Sequence, residues 1–331
     1  MKLNGFAIAA ALVFFSSGCA TNAPASTPTP TLVATNTPFP TSTPGPKEPL
    51  MPEILFEIDN APDSLKDPYG VALDSSGNIY VNDAGNSRVM VFDNAGQLIS
   101  KWDKKGSGPG EFKTFGFGGI AIDSQDNVFV VDNANHRIQK FDRAGNFLLE
   151  WGTQGTEAGQ FIRAIGIATD KEDNVYVTDD GNPYVQKFDN NGQFIMRWGG
   201  NGDEDGQFSH ATGIAIDADG KIFVADYENK RVQKFDSTGR FLVKWNMGED
   251  IQVTGIPEAI AVDSQGNVYV TDYLLGRLQV FDNDGNFLWA WGEKSFTNSL
   301  FKRPDGVALD SDGRIYIVNQ SGNTIQVFKL P

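Results

Sequence analysis

Two series of positions recur at nearly constant intervals along this chain and carry different side chains at each recurrence. The first runs Asp67, Gly116, Arg163, His210, Ile256 and Arg303. The second, two residues further on each time, runs Tyr69, Gly118, Ile165, Thr212, Glu258 and Asp305. Arg163, His210 and Arg303 form a basic set, and Asp67, Glu258 and Asp305 an acidic one. Brought to one opening, the two sets could hold a small polar or charged ligand between them, with Tyr227 and Tyr273 as aromatic walls. The three carboxylates offer a second chemistry, because hard oxygen donors suit Ca2+ or Mg2+ and His210 could act as a base beside such an ion. Zinc is disfavoured, since imidazole-rich sites draw on several histidines and this chain has two. His136 also lies on a different strand of a different unit from His210. No glycine-rich phosphate loop, nucleophile elbow, His-Glu-x-x-His pattern or cysteine pair is present.

What can bring these positions together is a repeat. Trp102, Trp151, Trp198, Trp245 and Trp291 are 49, 47, 47 and 46 residues apart, and each closes the phrase Phe-Asp, two residues, Gly, a short apolar run, Trp. Six segments open the units: residues 71–74, 120–123, 167–170, 214–217, 260–263 and 307–310, from Val-Ala-Leu-Asp to Ile-Ala-Thr-Asp in wording. A polar turn such as Ser75-Ser76-Gly77-Asn78 follows, then an apolar strand ending at Asp83, Asp132, Asp179, Asp226 or Asp272, with Asn319 in the sixth unit. A third strand, an Asp-x-x-Gly turn and the Trp-terminated strand complete each unit. Periodicity of this length in a unit made only of strands and turns predicts an all-β fold, a six-bladed β-propeller of four-stranded antiparallel blades. The sixth unit stops at Phe328-Lys-Leu-Pro331, before a fourth strand. Ile54-Leu55-Phe56-Glu57-Ile58 has the pattern of Phe147–Trp151 and is expected to supply that strand and close the ring.

In an up-and-down blade, the first-to-second and third-to-fourth turns share one end. That end is monotonous here, and Asp217-Ala-Asp219-Gly220 or Asp310-Ser-Asp312-Gly313 read as tight Asx and Gly turns, because the remaining ligands of a calcium loop are missing. The strand-end aspartates are expected to pair with arginines five residues on, Asp83 with Arg88, Asp132 with Arg137, Asp226 with Arg231 and Asp272 with Arg277, through bidentate bonds. Asp179 faces Tyr184 instead and needs another donor. The opposite end is varied, so recognition is expected there, at Asp67, Tyr69, Arg163, His210, Thr212, Tyr227, Glu258, Tyr273, Arg303 and Asp305.

Trp198-Gly-Gly-Asn-Gly-Asp-Glu-Asp-Gly-Gln-Phe208, Gly213–Asp217, Ile222–Asp226 and Asn229–Asp236 resemble the NHL-repeat family, and the resemblance extends from about residue 53 to the last residue. It implies a six-bladed propeller, a scaffold that carries binding domains and enzymes alike. Some related propellers are lyases or lactone hydrolases with a divalent metal at the axial mouth; on that resemblance, Asp67, Glu258 and Asp305 would be the ligands. NHL domains of some animal regulatory proteins bind RNA through a basic face. A formal net charge of −15 and a pI near 4.5 repel phosphate backbones, so no nucleic-acid partner is expected. The leading expectation is a binding protein that needs no cofactor and presents its varied face to a protein, a glycan or a small polar ligand. The alternative is a metal-dependent lyase or lactone hydrolase.

The first residues differ in kind. Lys2, an apolar run from Phe6 to Phe15 too short to span a bilayer, and Ser16-Ser17-Gly18-Cys19 resemble a bacterial lipoprotein signal. Cys19 is the single cysteine, and acylation would give its thiol a role. The expected organisation is a signal peptide over 1–18, a lipidated Cys19 with a Thr/Pro-rich tether over 19–52, and the propeller over 53–331. Such a tether extends about 3.1 Å per residue. The chain is thus expected in the bacterial cell envelope, extracytoplasmic, touching a membrane only through its lipid.

Overall fold

The computed structural model describes residues 52–59, 63–113, 118–248, 254–292 and 300–330. Cys19, the signal-like segment, most of the tether and Gly116 lie outside the described residues. Twenty-four strands form six four-stranded antiparallel sheets. Blade 1 runs outward from the axis through Pro68–Leu73, Ile79–Asp83, Arg88–Phe92 and Leu98–Trp102. Blades 2 to 5 repeat it, their innermost strands being Ile120–Ile122, Ala164–Thr169, Ala211–Ile216 and Pro257–Val262. Among the described residues no helix is long and apolar enough to cross a membrane.

Burial follows position in the blade. Second strands such as Val128–Asp132 are buried at every residue because both sheet faces meet a neighbouring blade, whereas the outer strand Phe147–Trp151 alternates half-buried and exposed. The apolar side chains gather into six clusters, each between two adjacent blades. Each of the five repeat tryptophans leaves its own blade to pack on the next. Trp102 lies 5.1 Å from the Phe141 ring, over Gly145, where φ is +87° and a Cβ would stand 2.3 Å from the indole nitrogen. Only glycine suits that spot.

Blade 6 consists of Pro304–Leu309, Arg314–Asn319 and Thr324–Lys329, completed on the outside by Glu53–Ile58. Ile58 pairs with Ile325, in the place that Trp102 holds opposite Val89 and Trp151 opposite Ile138. Phe56 and Ile58 lie against Gly96 of blade 1 as the tryptophans lie against the corresponding glycines elsewhere. The N-terminal strand therefore both completes a sheet and fills the junction between blades 6 and 1.

The monotonous end is architecture. Asp217 Oδ1 accepts the backbone N–H of Asp219 at 2.9 Å and of Lys221 at 2.8 Å, and Asp310 holds Asp312 and Arg314 in the same way. The strand-end pairs form, with Arg Nε to Asp Oδ2 distances of 2.6, 2.9, 2.7 and 3.0 Å for Arg88, Arg137, Arg231 and Arg277. The recorded bonds to the aspartates come from Nε alone rather than from a two-pronged fork. Arg231 shows the reason: its terminal nitrogens donate to the carbonyls of Asp203, Glu204 and Gln207 in the loop from the preceding blade. The guanidinium thus ties that loop to the strand end. Asp179 accepts the backbone N–H groups of Ile162 and Arg163 at 2.9 and 2.7 Å; donors from the same loop positions also reach Asp83, Asp226 and Asp272, so Asp179 keeps the backbone part of the arrangement without the arginine.

Candidate functional site

Six innermost strands can crowd round one axis only where their side chains nearly vanish. Gly70, Gly119, Gly166, Gly213 and Gly306 open five of them, and Ala259 the sixth. A Cβ on Gly213 would stand 2.4 Å from the Glu258 carbonyl oxygen, and one on Gly166 2.3 Å from that of Thr212. The result is an axial channel of about 70 Å³. At the varied end it widens into a cup of about 350 Å³.

The floor of the cup comes from the residues just before those glycines. Tyr69 Oη donates to Glu258 Oε1 at 2.5 Å, and Thr212 Oγ1 to the Glu258 carbonyl oxygen at 3.0 Å. Glu258 is 6% exposed and Asp305 3%. Burial pushes the Glu258 carboxyl from 4.5 up to about 7, opposed by the Tyr69 hydrogen bond and aided by the Asp180 charge. Burial, and then Glu258 itself, raises Asp305 well above the carboxylate range, with Arg303 opposing. Asp305 Oδ1 has no hydrogen-bond partner. Tyr69 is raised well above its ordinary value, first by burial and then by the two acids.

The wall carries the basic set. Arg163 is ion-paired with Asp180, whose Oδ1 is also without a hydrogen bond. His210 lies between two acids, Nε2 at 3.8 Å from Asp180 and Nδ1 at 3.6 Å from Glu228. The Arg303 guanidinium stands 4.8 Å over the Tyr273 ring, which meets Tyr227 edge-to-face at 5.6 Å. His210 at φ 73° and Arg303 at φ 56° hold left-handed backbone, costing roughly 1–2 kcal/mol per residue.

Nine of the ten positions singled out in the sequence line this one cup: Tyr69, Arg163, His210 and Thr212 with Tyr227, Glu258, Tyr273, Arg303 and Asp305. Asp67 does not. Its N–H donates to Asn323 Oδ1 at 2.8 Å, and its carboxylate lies over Gly85. Asp180, Glu228, Gln320 and the apolar Ile165 line the cup without having been candidates. A signal for two of them existed, since Asp180 and Gln320 hold the repeat position of Tyr227 and Tyr273, directly after the strand-end residue. Among the described residues no group of three or more His, Cys, Asp or Glu is arranged to hold a metal ion. With Asp67 apart and burial disfavouring the charged form of Glu258 and Asp305, the carboxylate trio does not fit a divalent cation.

Residues 65–154 match the family model of a 6-bladed beta-propeller, and residues 208–235 and 301–328 each match the model of the NHL repeat. The chain is a six-bladed β-propeller that carries NHL repeats. No curated protein matches this NHL propeller in sequence. Among solved structures it is similar to a gluconolactonase from Xanthomonas campestris, at 15% identity and a TM-score of 0.60 over 81% of this chain and 89% of that one. It is also similar to a streptogramin B lyase, at 13% identity and a TM-score of 0.60 over 83% and 97% of the two chains. The virginiamycin B lyase of Staphylococcus aureus gives 12% identity and a TM-score of 0.59 over 83% and 99%. At these identities the likeness is one of fold.

Proposed function

We propose that this NHL propeller is a binding protein that holds a small polar ligand in the axial cup, and that a lipid on Cys19 and the Thr/Pro-rich tether hold it to the outer side of a bacterial membrane. One observation carries the binding reading: in an open cup Asp305 Oδ1 is buried without a hydrogen bond, and so is Asp180 Oδ1, with His210 Nε2 standing 3.8 Å away. A buried polar atom left unpaired costs about 1–3 kcal/mol, and donors on a ligand recover that cost. The same lining serves a free molecule or a polar group displayed by a glycan or a partner protein. Replacing Arg163 and Arg303 together by Ala should weaken an anionic ligand at least tenfold in calorimetric titration without unfolding the ring, as far-UV circular dichroism would show. Unaltered affinity for every ligand found would return both residues to plain solvated loops. For the anchor, Cys19→Ala should move the protein from the membrane to the soluble fraction, and retention on the membrane would refute the lipid.

A second reading, a lyase or lactone hydrolase, is favoured by Glu258, which burial pushes up to about 7 beside the Tyr69 hydroxyl. A carboxyl that exchanges its proton near neutrality suits general acid–base catalysis. Lactone turnover that Glu258→Gln abolishes would establish it; ligand binding without turnover leaves the first reading standing. Melting with added Ca2+ or Mg2+ and with chelator tests the metal-dependent form, which requires a large metal-dependent rise.

A further inference from the structure

We infer that the ligand of the cup is amphoteric: an amino compound whose ammonium group enters first, against Glu258 and Asp305, and whose anionic end stays at the rim beside Arg303. The inference rests on the binding reading above and adds the chemistry of what is bound.

The floor holds two adjacent acids, 6% and 3% exposed, one with an oxygen that nothing satisfies. Buried acids are stabilised by a cation or remain protonated. The basic side chains lining the cup are Arg163, His210 and Arg303, and all three belong to the wall. Arg163 is engaged by Asp180 and His210 stands between Asp180 and Glu228, while Arg303 is stacked on Tyr273. None is paired with a floor carboxyl. A sugar hydroxyl would satisfy Asp305 Oδ1 but leave the two acids with only the unpaired influence of Arg303; an ammonium brings three donors and a positive charge to the same point.

The wall supplies the other half. Asp180 and Glu228 offset Arg163 and His210, so the basic group remaining to meet an anion is Arg303. The Arg303 guanidinium lies 4.8 Å over Tyr273 and carries five N–H donors, more than that contact can engage, so donors remain for a planar carboxylate. Between floor and rim the edge-to-face pair of Tyr227 and Tyr273 offers apolar surface to a methylene chain. A volume of about 350 Å³ falls at the small end of ligand pockets, which suits a molecule of amino-acid to small-peptide size.

The test is calorimetric titration of the full chain with unbranched ω-amino acids of increasing length, from glycine upward, alongside n-butylamine, butyrate and glucose. At least one amino acid should bind ten or more times tighter than either half-ligand, butylamine or butyrate. Asp305→Asn should weaken that amino acid tenfold or more and leave butyrate unchanged, while Arg303→Gln should weaken the amino acid and butyrate but not butylamine. If butyrate or glucose binds as tightly as the amino acids, the amphoteric assignment falls and the binding reading survives. Silence from every probe overturns the amphoteric assignment. Should the variants fail to fold, the comparison of whole and half ligands on the unaltered protein still decides.

Discussion

Ile58→Ala measures how much the ring depends on its N-terminal strand. Ile58 is 2% exposed and packs in one cluster with Val327 and Ile325 of blade 6 and with Val71 and Phe92 of blade 1. The change removes three carbons, which at ~0.8 kcal/mol each amounts to about 2.4 kcal/mol of lost transfer energy. The hole left between two blades cannot collapse freely, because strands on both sides are held by ladder hydrogen bonds, and this brings the expected cost to about 3–4 kcal/mol. For a domain of this size that corresponds to a fall in Tm of roughly 6–12 °C. Ile54→Ala is the matched control on the same strand, since Ile54 is 49% exposed and should change stability by no more than ~0.5 kcal/mol. Thermal melts followed by far-UV circular dichroism read both. If Ile58→Ala melts within about 2 °C of Ile54→Ala, the strand frays from the ring before the ring unfolds, and the argument that it fastens the closure is wrong.

Glu258→Gln should alter how stability depends on pH. Burial pushes the folded carboxyl from 4.5 up to about 7, so the fold takes up a proton between those values; its contribution is complete below about pH 4.5 and is lost as pH rises through about 7. The gap in urea midpoint between the unaltered protein and the variant should therefore shift against the unaltered protein from pH 5 to pH 8, and parallel curves would show that Glu258 ionises normally. Arg277→Met leaves the Asp272 carboxylate buried without its guanidinium and should cost about 3–5 kcal/mol. Arg240→Ala, at an ion pair whose arginine side chain is 76% exposed, should cost at most ~1 kcal/mol in the same denaturant titration.

The fold was legible in the sequence because each blade repeats the same physical requirements. A tryptophan needs a glycine on the next blade, as Trp102 needs Gly145, and a strand-end carboxylate needs a donor, as Asp226 needs Arg231; both leave fixed spacings. Even the closing strand was readable, since Ile58 had to fall where a tryptophan would. The cup was legible as a place, through the ring of residues before Gly70, Gly166, Gly213 and Gly306, but less so in its membership. Asp67 shares a repeat position with His210 and Arg303, yet its side chain lies over Gly85: equivalent backbone fixes where a residue starts and not where its side chain ends. Asp180 was hidden by the opposite effect. Its position looked informative only where an aromatic residue occupied it, at Tyr227 and Tyr273, although a carboxylate there reaches Arg163 and approaches His210.

Joining Glu53–Ile58 to Thr324–Lys329 also sets an order of events during synthesis. The first strand of the ring must wait for the last, and until then Phe56 and Ile58 lack their blade 6 neighbours and a row of backbone donors and acceptors stands open to any passing chain. Five blades can assemble from local hairpins while this edge waits, so the slow step in reaching the native ring is the meeting of distant segments. Factors that shield nascent strands therefore have one well-defined stretch of this chain to guard.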